Sequence, residues 1–291
     1  MPAQSENNIL LSVIIVTWNS EAEIEHCINS IIHHNVNIPV EIIVVDNGSK
    51  DKTRSILKNY SVQTDFVKII LNDDNKGYTL ANNQGINEAR GEFVLLLNPD
   101  TKITDGALEK MIEFLLVSSN AGAIAPQLLN KDYTIQKSCR TFPTYWDMFC
   151  ELFLLSKILP MSETFAGWKM NYFNHNELAE VEQPMAAALM IKKNVLDKVK
   201  GFDERYKMFF NDVDLCKSIV DAGYKIYFYP ESKIFHIKGA SIYKDRKNML
   251  RVWNDDCIKY FKKYYNNFLL TPLLSLGLKL SLPFRKWLGV N

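Results

Sequence analysis

Excess charge of either sign is missing from this chain. Its 34 lysines and arginines face 33 aspartates and glutamates, a formal net charge of +1 over 291 residues. No global field draws it to nucleic acid, so no nucleic-acid partner is expected and any basic surface must be local. Cysteine is sparse and irregular. The five copies, Cys27, Cys139, Cys150, Cys216 and Cys257, include no Cys-x-x-Cys pair, which argues against a disulfide framework or a structural zinc and for a reducing compartment. No continuous apolar stretch of about 18 residues occurs, so a spanning helix is not expected. The opening "MPAQSENNIL" shows no basic region followed by an apolar run; no secretory signal is read there, and the expected location is the cytoplasm. Glycine is missing where two common folds need it. After the first apolar run the chain reads "VTWNSEAE", whereas a dinucleotide fold wants G-x-G-x-x-G at that point. No G-x-x-x-x-G-K-[ST] occurs either, and the glycine- and basic-rich loop of a nucleotidyltransferase is absent too.

What is present is globular material, 47% hydrophobic and 23% charged, with no repeat at a fixed period. The runs "LLSVIIVTW", "EIIVVDN", "FVKIIL" and "EFVLLLN" are nearly continuous in Val, Ile and Leu, as strands buried on both faces should be. Between the first two, "EAEIEHCINSII" sets Ile24, Cys27, Ile28, Ile31 and Ile32 on one helical stripe. Another helix is predicted after Gly48-Ser49-Lys50, with Asp51 as its N-cap. This alternation predicts an α/β fold, Rossmann-like, around a mostly parallel sheet. After about residue 130 the rhythm changes: one strand, then loops and an aromatic-rich helix to residue 173. "PMAAALMIKK" predicts a strand leading into a short helix from Asn194, "DVDLCKSIVDAG" a helix closed by Gly223, and "KIYFYP" a strand stopped by Pro230. A last long helix is expected over 248–265.

Ligands of an open α/β sheet bind beyond the carboxyl ends of its strands, so polar residues there are the first suspects. They are Thr17-Trp18-Asn19, Asp46-Asn47-Gly48-Ser49, the loop "NKGYTLANNQG" at 75–85, and Asn98-Pro99-Asp100. Each alone is more often a turn or a packing residue. Together they converge on one crevice whose aromatic, amides and acids suit a nucleotide diphosphate. A second constellation is "FFNDVDLC", residues 209–216. Asp212 and Asp214 begin a helix and point roughly 200° apart, so only one can face a cleft. The other is expected to be structural, paired with a cation such as Lys217, and the phenylalanines are expected to shield the site from water.

Six ordered blocks, "SVIIVTWNS", "IIVVDNGSKDKT", "NKGYTLANNQGI", "ARGEFVLLLNPDT", "GFDERYKMFFNDVDLC" and "GYKIYFYPESKIFH", resemble family 2 glycosyltransferases. The chain looks most like the rhamnosyltransferase-like bacterial subgroup, which builds polysaccharides. The resemblance covers residues 10–245 and implies the GT-A fold, a nucleotide-sugar half (10–130) fused to an acceptor half (131–245), with residues 1–9 as a tail. It also implies a transfer that inverts the anomeric centre with a divalent cation, Mn²⁺ or Mg²⁺. Under the resemblance, Thr17, Trp18, Asn19, Asp46 and Asn47 line the base and ribose site, and Gly77 and Asn83 shape the wall near the ribose and diphosphate. Asn98-Pro99-Asp100 stands in the place of the family's Asp-x-Asp motif, so that Asn98 belongs to the donor site and Asp100 to the metal. His236 takes the place of a metal-ligating histidine, and Asp212 that of the general base.

This sequence departs from the pattern at Asn98, where an acid is usual, at Asn211, where a glutamate is usual, and at Ala186, where a glycine is usual. One fewer carboxylate weakens a site for a hard cation. Loss of the neighbouring charge at Asn211 eases ionisation of Asp212, and the Ala186 methyl narrows the sugar pocket. The implied donor is dTDP-rhamnose, with another sugar on UDP as the alternative, and the implied acceptor is a saccharide, in many such enzymes lipid-linked. A nucleotide-sugar binder that has lost catalysis is the alternative of a different class. Residues 246–291 are leucine-rich, carry Lys262, Lys263, Lys279 and Arg285, and are interrupted by Pro272, Gly277 and Pro283. That composition suits a helix lying in the interface of the cytoplasmic membrane, or one packed on the domain or on a second subunit.

Overall fold

The computed structural model describes residues 9–34, 38–237 and 246–288; residues 1–8 of the tail and the 238–245 end of the expected domain lie outside them. Strands β1 (Leu11–Thr17), β2 (Val40–Asp46), β3 (Val67–Leu71) and β4 (Phe93–Leu97) alternate with helices α1 (Ile24–His34), α2 (Thr53–Gln63) and α3 (Tyr78–Glu88). β1 pairs in parallel with both β2 and β4, and β2 with β3. Their continuous apolar runs follow from two cores: Val13 and Ile15 join one, while Ile14 between them joins the other. The α1 stripe buries Ile24, Cys27, Ile28 and Ile31. The start of α2 is displaced by one residue from the expected cap. Thr53 begins the helix, and the Asp51 carboxylate accepts from the Thr53 N–H at 3.0 Å, closing a turn just ahead of it.

The second half holds β5 (Thr101–Ile103), α4 (Ala107–Val117), β6 (Ala121–Leu129), β7 (Ile135–Gln136), β8 (Cys139–Arg140), α5 (Tyr145–Leu152), α6 (Leu155–Ile158) and α7 (Glu163–Ala166). It continues with β9 (Ala179–Glu180), β10 (Gln183–Pro184), β11 (Ala188–Lys192), α8 (Lys193–Val199), α9 (Asn211–Asp221), β12 (Lys225–His236), α10 (Arg246–Tyr264) and α11 (Leu270–Leu288). The main sheet runs β3-β2-β1-β4-β11-β6-β12-β5, with β7 on β6 and β9 on β12, while β8 and β10 form a separate pair.

β12 continues through Pro230 instead of ending there. Its pairing with β6 jumps from Tyr229↔Pro126 to Lys233↔Gln127, so residues 230–232 bulge out and the ladder never needs the N–H that proline lacks. β6, "AGAIAPQLL", is rich in alanine with a proline inside and carries little strand propensity; burial between β11 and β12 makes it a strand. A third core joins the last helices to the region of Asp212: Met148 and Trp168 meet Phe210 and Val213, then Cys257, Tyr260 and Phe261 of α10, and Leu274 and Leu278 of α11. Among the described residues no helix is long and apolar enough to cross a membrane.

Candidate active site

The strand ends do meet at one edge of the sheet. Thr17 lies opposite Asp46 in the β1–β2 register. Both are buried, and the Thr17 Oγ1 and one Asp46 carboxylate oxygen have no hydrogen-bond partner among the described residues. The other Asp46 oxygen accepts from Arg54 Nε at 2.7 Å. Trp18, 38% exposed, is open to a stacking partner. Asn19 ties the two strand ends together: its N–H donates to Ser49 Oγ, and its side-chain oxygen accepts from the Lys50 N–H, both at 2.8 Å.

Asn47 is buried and fully engaged by protein, donating to Asn75 Oδ1 and the Gly77 carbonyl and accepting from the Lys76 N–H and Asn72 Nδ2. It shapes the 72–77 loop. Gly77 caps α3 at φ 91°, ψ 159°, a conformation essentially confined to glycine. Asn83 grips the segment that leads toward α9, exchanging hydrogen bonds with the Phe202 backbone in both directions at 2.9 Å.

Asn98 and Asp100 follow β4. The Asn98 carbonyl accepts from Thr101 Oγ1 at 2.7 Å, which fixes the turn. β12 then runs antiparallel to β5, with His236 opposite Thr101, and this brings His236 Nε2 to 3.4 Å from Asp100 Oδ1. The ring is held by Gln136, which sequence reasoning missed. Gln136 Nε2 donates to the His236 backbone carbonyl at 3.3 Å and to Asn130 Oδ1 at 2.9 Å, so Oε1 is the atom that meets His236 Nδ1 at 2.6 Å. Nδ1 must therefore carry a hydrogen, so in the neutral ring Nε2 is the lone pair that faces Asp100. Two acceptors facing one another fit a cation between them. Among the described residues no group of three or more acidic, histidine or cysteine side chains could hold a metal alone. Two protein ligands do suit Mg²⁺ or Mn²⁺ completed by substrate phosphates and water.

Asp212 is the second residue of α9, just after Phe210 turns the chain in the left-handed region at φ 59°. Its Oδ1 accepts from the Val213 N–H at 2.9 Å and its Oδ2 from Gln183 Nε2 at 3.0 Å. Gln183 lies opposite Arg140 in the β10–β8 pair, so a two-residue ladder delivers an amide and a cation to one carboxylate. Burial pushes the Asp212 carboxyl above its ordinary value, against the pull of the Val213 N–H, the Arg140 charge and the Ala186 N–H. Burial thus outweighs the easier ionisation expected from Asn211. Ala186 is buried in the second core. The phenol of half-buried Tyr78 is also pushed up, by burial first and then by the charges of Asp212 and Asp100. The two carboxylates are linked through the residues that enter β11, since Asp212 accepts from the Ala186 N–H and the Asn98 N–H donates to the Ala187 carbonyl at 2.9 Å.

The neighbouring acids are structural. Asp214 pairs with Lys263 at 2.7 Å and accepts from the Tyr264 hydroxyl at 2.8 Å; Lys217 binds Asp221 instead. Phe210 packs in the third core, its ring against Trp253 and Tyr260. Asp256 on α10 accepts the N–H groups of Lys207, Met208 and Phe209, each at 3.1 Å, and so fixes the segment that enters α9. Its only sequence signal was an acid pair inside a helix, which is ordinarily solvated.

A mixed, mostly parallel sheet with a strand-end crevice, a paired carboxylate and histidine at one wall and a half-buried carboxylate at another describe a GT-A glycosyltransferase. The chain matches the family model of glycosyl transferase family 2 over residues 12–175 and belongs to that family. It is 24% identical over 280 residues, 91% of this chain and 88% of the other, to the N-acetylglucosaminyl-diphospho-decaprenol L-rhamnosyltransferase of Mycobacterium tuberculosis. A GalNAc(5)-diNAcBac-PP-undecaprenol beta-1,3-glucosyltransferase of Campylobacter jejuni is 36% identical over 104 residues, about a third of each chain (35% and 33%). The fold is similar to that of a Pyrobaculum calidifontis mannosyltransferase solved with GDP-Man and Mn²⁺, with TM-score 0.61, 17% identity, and 94% of this chain and 71% of that one covered.

Proposed function

We propose that this glycosyltransferase moves L-rhamnose from dTDP-rhamnose onto a lipid-linked saccharide, with inversion, in bacterial polysaccharide assembly. The observation that carries the chemistry is the crevice shared by Asp212 and the Asp100–His236 pair. The similarity to the mycobacterial rhamnosyltransferase along nearly the whole of both chains supports the sugar and the lipid-linked acceptor.

Asp212 accepts the proton of an acceptor hydroxyl while that oxygen forms its bond to the anomeric carbon. The bond from that carbon to the donor phosphate breaks, and the nucleoside diphosphate leaves with the electron pair. Gln183 and the Val213 N–H aim the carboxylate, and its raised proton affinity suits a base that must bind a proton in the transition state. Asp100 and His236 would hold a divalent cation, which when bound supplies charge neutralisation at the departing diphosphate. Thr17, Trp18, Asn19 and Asp46 contact base and ribose, with Asn98 beside the donor. Asn47, Gly77 and Asn83 keep the pocket wall in shape. The 131–245 half supplies the acceptor side.

We also propose peripheral membrane contact. α11 has no acidic residue and exposes Leu273, Leu276 and Leu280; it contacts α5, which exposes Phe149 and is followed by exposed Phe153.

The test is incubation with labelled dTDP-rhamnose and N-acetylglucosaminyl-diphospho-prenol. Label in a product whose linkage has the anomeric configuration opposite to the donor's is expected. Retention of configuration would rule out Asp212 as base of a single displacement.

A further inference from the structure

Beside the crevice lies a cavity of about 300 Å³ whose charged lining side chains are Lys137, Arg140 and Lys169, with Gln136 at its edge. No acid lines it. Lys169 is neutralised by Glu151 at 2.8 Å, and Lys137 donates to the Asn171 carbonyl. Arg140 is different. Its guanidinium lies over the Trp168 ring, 5.0 Å from the centroid, and among the described residues its N–H groups have no hydrogen-bond partner.

Arg140 is half-buried, with its free donors on the cavity, and partial desolvation holds its pKa below the usual arginine value, against the pull of Asp212 and Glu151. The residue is also fixed in place. β8 is pinned by the buried His175, whose Nε2 accepts the N–H groups of Ser138 and Cys139 at 3.2 Å each, and by its pairing with β10. A flat cation backed by an aromatic ring, with its fork free, matches the oxygens of a phosphate group. The cavity touches both working ends of the site: Gln136 holds His236, and Arg140 pairs across the strands with Gln183, which holds Asp212.

We propose that Arg140, with Lys137, forms an anion subsite that takes a substrate diphosphate group. This deepens the glycosyl-transfer reading and rests on it for the carrier of the diphosphate. That carrier is either the donor nucleotide or a prenyl diphosphate on the acceptor, and the chemistry of recognition is the same for both.

The experiment uses the full chain, stripped of metal and held in metal-free buffer so that the Asp100–His236 pair contributes nothing. Inorganic pyrophosphate is titrated calorimetrically into wild type, Arg140→Gln, Arg140→Lys and Lys137→Gln. Wild type is expected to bind, Arg140→Gln to weaken binding about tenfold or more, and Arg140→Lys to fall between, because an ammonium keeps the charge and loses the fork. Thermal unfolding checks that each variant folds. If loss of the Trp168 contact unfolds Arg140→Gln, the exposed Lys137→Gln variant still has to weaken binding. Two further titrations separate the sources. Weaker dTDP binding with Mn²⁺ in Arg140→Gln assigns the subsite to the donor; unchanged dTDP binding with weaker geranyl diphosphate binding assigns it to the acceptor. Absence of pyrophosphate binding in wild type, or equal binding by all four proteins, overturns the proposal. No turnover enters these measurements, so a failure of the transfer reading would show separately, as an inert enzyme that still binds pyrophosphate through Arg140.

Discussion

Asp212 keeps its proton to a higher pH than a free aspartate, because burial outweighs the Val213 N–H, Arg140 and the Ala186 N–H. A protonated carboxyl cannot accept another proton. The acid limb of kcat is therefore predicted above the ordinary aspartate value of about 3.9, with activity falling as pH drops through the raised pKa. Asp212→Asn should remove that limb and lower kcat roughly 10²–10⁴-fold, as a pH–rate profile of both proteins will show.

At the other wall, Gln136→Leu should weaken Mn²⁺ binding roughly 10–100-fold by releasing the His236 tautomer. Nitrogen-15 spectra of metal-free wild type should show hydrogen on Nδ1; hydrogen on Nε2 instead would remove the role given to Gln136. The acids and the histidine were legible in the sequence because each lies at a strand or helix end inside a recognisable block. Gln136, Gln183 and Arg140 were not. They act across 100 residues in the case of Gln136 and His236, and across 29 in the case of Gln183 and Asp212, through pairings that only the folded register creates.

Among the elements, α3 depends on a single missing side chain. A Cβ on Gly85 would lie 2.5 Å from Ile14 Cγ2 of β1, so the helix approaches the sheet only because that residue is glycine. Gly85→Ala should lower stability by about 1–3 kcal/mol, measured by urea unfolding, and should disturb the pocket wall that α3 begins. A change within a few tenths of a kcal/mol would mean that the helix shifts freely. The strands of the first half were readable because both faces are apolar. β6 and the far end of β12 were not, since an alanine-rich segment and a strand carrying Pro230 become strands by burial and bulging rather than by propensity. β8 and β10, two residues each, are too short for any periodicity to reveal.

For the molecule as a whole, the C-terminal region serves two ends. Its buried side braces the base: Asp256 holds 207–209, while Leu274 and Leu278 join the core of Phe210 and Val213. Arg285 is buried there too, stacked 4.8 Å from the Trp253 centroid and bonded to Asn254. Its other side is the exposed leucine row. Co-sedimentation with vesicles containing anionic lipid is expected for wild type and lost in Leu273→Ser/Leu276→Ser/Leu280→Ser. Equal sedimentation of both proteins would leave these leucines to another partner. Packing of the tail on the domain was one of the three outcomes its composition allowed, beside the membrane interface and a second subunit, and amphipathic spacing alone could not say which face went where.

The most direct measurement is release of nucleoside diphosphate from a panel of dTDP-, UDP- and GDP-sugars by wild type and Asp212→Asn, with Mn²⁺ and after metal removal. Release from dTDP-rhamnose, lost both without metal and in Asp212→Asn, is the predicted result. Undiminished release by Asp212→Asn, or by wild type without any divalent ion, would contradict the assignment of base and cation to this crevice.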